Sequence, residues 1–378
     1  MSGASSLKEG ALRRPHSLLF HDILCQHADV PLHRATGDAI RRSILPGCEH
    51  NHLTILNGVF APQYSVISIP GCSVKTSQVP ATALFDQEER ALHGRLLDAA
   101  HPQEEVLVRF SQTTHLPLHV IFLYSAEKPS WATSSLVFEV EEGVHAHVVE
   151  TMQYVGSASL MCLSDVAVNV SSRGKFTHSR IEEASIDSIA NISSLRATLA
   201  LQSEYRLVQV SHTKDHHQTV DIALSGEGAT CSYAALDKVT SHASSHFNVD
   251  VHHQSPKTTS SIEIRGLVGE HASTTTQSCV HVDEQAMGSS SSQLMQYLQL
   301  GKTGRAKILP QFAIFTDEVT ASHGATTSQI DEELLKYMTS RGLDRDEASC
   351  LVAQGFASKI IHMLPTPQEQ KWIHTQLY

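Results

Sequence analysis

From Glu105 onward the chain repeats one short unit: an apolar or alternating run, a corner rich in Gly, Glu or Ser, and a second run. Leu136–Val140 and Val144–Val149 flank Glu141-Glu142-Gly143, and Val166–Val170 and Phe176–Ile181 flank Ser171-Ser172-Arg173-Gly174. The same layout recurs around Gln202-Ser203-Glu204, Ser225-Gly226-Glu227-Gly228 and Val268-Gly269-Glu270-His271. Short strands at a period of roughly 25–30 residues describe a stacked solenoid, in which each unit buries its apolar face only against its neighbours. A β-sandwich also uses many short strands, so the residues alone leave both architectures open. Ser244, Ser245, Ser260, Ser261 and Ser289–Ser292 suit tight corners and ladders; the last run reads as a corner of the coil.

Three segments follow. Residues 1–104 read as a mostly helical N-terminal domain, with helical spacing near Ser17–Leu24, Asp38–Leu45 and Asp86–Ala99. Within it, Asn57-Gly58 between Leu53–Leu56 and Val59–Ala61 marks a hairpin, because both turn residues tolerate positive φ. Residues 105–325 form the β core, where Leu116–Leu123 is apolar enough to be buried on both faces and Pro310 suits an edge strand or bend. Residues 326–378 are helical. Ser328-x-x-Asp331 and Asp344-x-x-Glu347 read as capping boxes, Gly342 as a stop, and Thr366-Pro367-x-Glu369 as a third start. Leu351, Val352, Phe356 and Ile360 form an apolar stripe that either caps the β body or serves a partner.

Composition narrows the function. A net charge of −11 argues against a nucleic-acid or acidic-membrane binder. No apolar run is long enough to span a bilayer, and the N-terminus lacks a signal-type run. The seven cysteines include no C-x-x-C pair, which suits free thiols in a cytoplasmic protein. The 25 histidines read mainly as surface and strand-face residues. His216-His217 and His252-His253 would place neighbours on opposite sheet faces, poor geometry for one shared metal ion.

The stretch Asp317-Glu318-Val319-Thr320-Ala321-Ser322-His323-Gly324-Ala325-Thr326 stands where the β body hands over to helix, and reads as a buried strand end. It is followed by Gln329-Ile330-Asp331-Glu332-Glu333, Ser340-Arg341-Gly342 and Gly355-Phe356-Ala357. In this order the motifs resemble the SufB/SufD family, the scaffold subunits of the SUF iron–sulfur cluster assembly complex. Leu56–Phe60, Ile264–Val268 and Pro310–Ile314 extend the likeness over roughly residues 50–362. Length and the lack of cysteine motifs resemble the SufD branch more than the longer SufB.

The resemblance implies a right-handed parallel β-helix flanked by N- and C-terminal α-helical domains. It implies a non-enzymatic scaffold that pairs with a SufB-like subunit through the last β-helix strands. A SufC-like ABC ATPase would dock on the C-terminal helices, and no nucleotide would bind this chain. His323 matches the family histidine at that interface and is the candidate ligand to a nascent iron–sulfur cluster shared with SufB. The family cysteine two residues before it is Ala321 here, which cannot ligate iron or carry sulfur. Two rival readings remain: a metal-free homodimeric adaptor for the ATPase, and a β-helix enzyme acting on polysaccharide. The β region is poor in the aromatics and carboxylate pairs that the second would need.

Overall fold

The computed structural model describes residues 34–78, 104–155, 158–183, 189–212, 214–240 and 242–377. The helical spacings near Ser17–Leu24 and Asp86–Ala99 lie outside them. The chain opens with α1 (Arg34–Ser43), β1 (Asn51–Leu56), β2 (Val59–Phe60), β3 (Val66–Ile67) and β4 (Cys72–Ser77). Then come β5 (Glu105–Phe110), β6 (Leu118–Tyr124), β7 (Ser130–Val140), β8 (His145–Tyr154), β9 (Leu160–Val170), β10 (Lys175–Glu183), β11 (Ile189–Leu199) and β12 (Glu204–His212). The series continues through β13 (Asp215–Leu224), β14 (Thr230–Val239), β15 (Ser244–His253), β16 (Thr259–Val268), β17 (Ser273–Val282), β18 (Ser289–Gln299), β19 (Arg305–Ile314) and β20 (Val319–Gln329). Helices α2 (Glu332–Ser340), α3 (Arg345–Ile361) and α4 (Pro367–Leu377) complete it.

From β5 to β20, consecutive strands do not pair with each other. Even strands from β6 to β20 form one sheet and odd strands from β5 to β19 the other, and within each the neighbours run parallel in register. Lys175 lies opposite Glu204, Glu204 opposite Thr230, Thr230 opposite Thr259 and Thr259 opposite Ser290, steps of 29, 26, 29 and 31 residues. This is a parallel β-solenoid of about seven turns, and it excludes the antiparallel sandwich.

The corners explain how one chain keeps this register. Gly143, Arg173, Gln202, Gly228, Lys257 and Gly288 all have positive φ, from 51° to 72°. Each donates its N–H to a carbonyl in the corner of the next turn, as Arg173 does to Leu201 and Lys257 to Met287. One left-handed residue per turn thus turns the chain from the odd to the even sheet and ties successive turns together. Only three of the six are glycine, so glycine spacing alone understates the repeat.

Inward side chains fill a narrow core in ladders. Phe176 stacks on Tyr205 of the next turn, with ring centres 5.7 Å apart, and meets Phe138 of the odd sheet across the lumen at 5.4 Å with the rings tilted, contacts worth ~0.5–1.5 kcal/mol each beyond area burial. Toward the C-terminal turns the ladders become hydroxylic: Ser260 Oγ donates to Ser291 Oγ at 2.8 Å, and Thr258 and Ser289 pair at 2.8 Å. Ser289–Ser292 is therefore the start of β18, not a corner. Polar residues sit inside this strand because the turn below satisfies their hydroxyls.

Between residues 34 and 78 the described chain holds α1 and four strands, all of which join the two sheets. β1 pairs parallel with β6, and β4 pairs antiparallel with β5. The Asn57-Gly58 hairpin forms as expected, with φ of 47° and 89° and Leu56 opposite Val59. Of the run Leu116–Leu123 expected to be buried on both faces, Leu118–Leu123 is buried throughout, whereas Leu116 is exposed and precedes the strand.

The terminal helices lie on the outer face of the even sheet. Ala353, Ala357, Ile360, Ile361 and Leu364 pack on Val208, Val210, Ala234, Leu236, Leu267 and Leu298. The stripe expected from Leu351, Val352, Phe356 and Ile360 is thereby split: Ile360 is buried and Leu351 is 46% exposed. Alanines let α3 approach the sheet closely, so its contact face is rotated from its bulkiest side chains. Arg265 Nη1 donates to Phe356 O at 2.9 Å, and Lys359 pairs with Glu263 at 2.6 Å. Glu369 of α4 is fully buried, bonded to Thr366 and Ser179 and 3.3 Å from His147 Nε2. The capping box at Asp344 and Glu347 is complete, and Gly342 closes α2 at φ 101°. At the start of α2 the cap is Asp331 itself, accepting from Glu333 N, while Ser328 still belongs to β20.

Candidate functional site at the open end of the solenoid

The solenoid finishes on two strands without outer neighbours among the described residues, β19 in the odd sheet and β20 in the even. Register fixes which side chains face the lumen there. Phe312 stands over buried Val280, and His323 over buried Gln293. Ala306, Ile308, Phe312 and Ile314 of β19 and Val319 of β20 pack partly on the core below. Nothing in the described chain lies above them. Ala321 and Ala325 share the inward parity of His323, so the end face is small, apolar and carries one imidazole.

That imidazole bridges the two sheets. Its ring lies parallel to Phe312, with 5.3 Å between centres and 6° between planes. Both expectations about the stretch need refinement. His323 is not at a strand end: β20 runs through it for 11 residues, Val319–Gln329. The strand is largely exposed and not buried, because no further turn covers it. One rung below, Gln293 Nε2 donates to Gln311 O at 2.9 Å across the lumen. Its Oε1 is buried without a hydrogen-bond partner among the described residues.

Two other features were not read from the strand pattern. The first lies deep in the lumen, where inward positions hold Glu150, His178, Arg180 and Glu182. Arg180 Nε donates to Glu150 Oε2 at 2.8 Å, His178 Nε2 lies 3.0 Å from Glu150 Oε1, and Arg180 Nη2 is 3.3 Å from Glu182 Oε1. Burial alone would raise the Glu150 carboxyl, but Arg180 and His178 hold it below the usual range. A cavity of about 20 Å³ adjoins this cluster, room for one water. The usable signal was charge at inward parity: His178 and Arg180 alternate with Phe176 in one strand. The second is a row of exposed apolar residues on the outer helices: Leu334, Tyr337 and Leu351 are 41%, 58% and 46% exposed.

Comparison with known proteins decides the family. The model described as SUF system FeS cluster assembly, SufBD core domain, matches residues 122–356, more than half of the chain. The chain belongs to the SufBD family. Its SufBD relatives include the iron-sulfur cluster assembly SufBD family protein slr0076 of Synechocystis, 24% identical over 85% of this chain and 76% of that protein. The SufBD family protein Mb1496 of Mycobacterium bovis is 35% identical over 30% of this chain, a match covering 13% of that protein's length. The iron-sulfur cluster assembly protein SufD of Escherichia coli is 31% identical over 22% of this chain and 20% of its own. The matched core thus runs from within β6 through the rest of the solenoid and α2 into α3, and takes in Ala321 and His323. No helix among the described residues is long and apolar enough to cross a membrane.

Proposed function

We propose that this chain is a SufD-like, non-catalytic scaffold subunit of a cytoplasmic iron–sulfur cluster assembly complex, whose open solenoid end pairs with a SufB-like subunit. One observation carries this reading: two parallel edge strands, 10 and 11 residues long, end side by side around an apolar face bearing His323. Unpaired edges of this length are a template for further strands. A second solenoid of similar cross-section would continue both sheets at once. The nascent cluster is the cargo of such a complex. This chain offers it one imidazole and, with Ala321 in place of a thiol, no sulfur ligand at that end. The SufB-like subunit supplies the remaining ligands. Gln293 Oε1 is an acceptor suited to fixing the second imidazole N–H, the usual way a ligating histidine is oriented.

The exposed row Leu334, Tyr337 and Leu351 is the surface offered to a SufC-like ATPase. α3 is anchored to the sheet through its alanine face, which leaves this row free for a partner. Co-expression with candidate partners, followed by weighing the complex, tests both surfaces. A complex of this chain with a SufB-like subunit and ATPase supports the reading. A homodimer that binds ATPase, and whose iron content does not change on His323→Ala, replaces it with the adaptor. Deleting residues 331–378 should abolish ATPase binding and spare the SufB-like contact.

A further inference from the structure

The outer face of the odd sheet carries a second set of metal-type side chains, unrelated to the open end. Because turns repeat every 29 residues here, Asp221, Asp250 and Cys279 stack across β13, β15 and β17, and His252 stacks beneath His281. Asp250 and His252 are two apart on one strand, Cys279 and His281 two apart on the next. Side chains two apart share a face, so the four occupy a rectangle of about 4.8 by 6.6 Å. Donor atoms of Asp250, Cys279 and His281 already lie within 4.8 Å of one another. The His252 ring lies against that of His281, with centres 4.5 Å apart and planes at 8°. His252 is held from below by Asp221, with Nε2 to Oδ1 3.6 Å, and Asn248 Nδ2 reaches Asp250 at 3.5 Å. Ala223 and Ala313 flank the two histidines along their ladder and leave the front of the group open.

We infer that this face binds one divalent transition-metal ion of the zinc or ferrous class through Cys279, His281 and Asp250, with a fourth position open. A thiolate, an imidazole and a carboxylate form a donor set that suits Zn²⁺ and Fe²⁺, not the all-oxygen ions Ca²⁺ and Mg²⁺. For such a set the donors around a tetrahedral ion stand about 3.3–3.7 Å apart. Rotation of side chains on a fixed sheet closes the remaining gap. His252 is near enough to take the fourth position if it leaves Asp221; otherwise a water or an incoming ligand does. Binding converts the Cys279 thiol to a metal-bound thiolate and releases its proton to solvent. Burial and then the Asp250 charge hold that thiol's pKa up; an ion bound between thiol and carboxylate offsets both. The site does not rest on the partner reading. Cys279 and His281 face outward from the sheet wall, whereas His323 faces the lumen.

The test uses the full-length chain, reduced and stripped of metal with a chelator, then titrated with Co²⁺. One ion per chain should bind with a thiolate-to-cobalt charge-transfer band, and Zn²⁺ should displace it. Cys279→Ser should abolish the band, and His281→Ala should weaken binding about tenfold or more, while Cys350→Ser on α3 should change nothing. A cobalt spectrum without charge transfer, or a band that survives Cys279→Ser, overturns the site. If Cys279→Ser fails to fold, alkylation of the wild-type chain decides: Zn²⁺ must protect Cys279 and not Cys350. Equal alkylation with and without Zn²⁺ also overturns it. Cluster content of a co-expressed complex reads the open end separately.

Discussion

The two ends of the solenoid are built from the same ladder and finished in opposite ways. At the N-terminal end β1 is buried at every position, and its outer edge is taken by β2 and β3, which run antiparallel to it. Asn57 clamps that hairpin to the first full turn: Nδ2 donates to Ser125 O at 3.0 Å, and Ser125 N donates to Oδ1 at 2.8 Å. At the C-terminal end β20, in the same sheet, is exposed along most of its length and has no strand beyond it among the described residues. A parallel ladder has no intrinsic stop. At the N-terminal end the even sheet is stopped by strands that reverse direction; at the C-terminal end the last rung is left bare among the described residues.

The strongest way to break this contrast is to open the closed end. Gly58 sits at φ 89°, and a Cβ there would lie 1.7 Å from the Thr133 carbonyl oxygen. Gly58→Ala meets both an unfavourable backbone angle and a backbone clash, so it should destabilise the chain by about 3 kcal/mol or more. Thermal melts measure this, and light scattering should show association through the newly exposed edge. A melt unchanged from wild type would mean that the hairpin does not hold that end.

The closed end should also be the acid-sensitive one. His119 of β6 is fully buried; its Nδ1 accepts from Leu45 N at 3.1 Å, and Nε2 pairs with Thr151 at 2.8 Å. Burial, with His52 nearby, lowers its pKa to about 3. The folded value is below the unfolded one, near 6.5, so this stability is complete above about pH 6.5 and declines as pH falls toward 3. Between pH 6.5 and 5 the loss is about 2 kcal/mol. Denaturant midpoints across that range should fall less steeply in His119→Gln than in wild type. Equal slopes would remove His119 as the cause.

The contrast between ends was half legible in sequence. Asn57-Gly58 announces its hairpin because the turn's chemistry is local. Pro310 announces an edge because it cannot donate to a ladder. What β20 would look like was not legible: Val319–Gln329 has the residues of a strand, and whether a further turn covers it depends on packing that its own residues do not encode. The lumen charges and the outer Asp250, Cys279 and His281 group were missed for a related reason. In each group the decisive partner lies one turn away, Glu150 below Arg180 and Asp250 below Cys279, and a reading along the chain sees His252-His253 as a doublet on opposite faces. Only the in-register ladder brings His252 to His281 and Asp250 to Cys279. The alanine face of α3 was missed because apolar bulk marks a stripe more visibly than close approach does.

At the open end, Phe312→Lys places a charge on the apolar face that the second solenoid would cover. A SufB-like partner should then bind about tenfold or more weakly, the loss of ~1.4 kcal/mol that a modest interface anchor supplies. The melt of the isolated chain should hardly move, because Phe312 packs on the core from one side only. Unchanged affinity would place the partner elsewhere.

The smallest expected effect on stability is the sharpest test of the contrast. His323 is exposed and touches the chain chiefly through its stack on Phe312. His323→Ala should therefore cost the isolated chain less than ~0.5 kcal/mol, as surface substitutions do. In the co-expressed complex the same change should lower iron and acid-labile sulfide without dissociating the subunits. A loss above ~1 kcal/mol in the isolated chain would make the histidine a structural plug for the last turn, because a lumen-sealing ring is felt before any partner arrives. The two outcomes separate cleanly: a plug matters to the chain alone, a ligand only to the assembled cargo site.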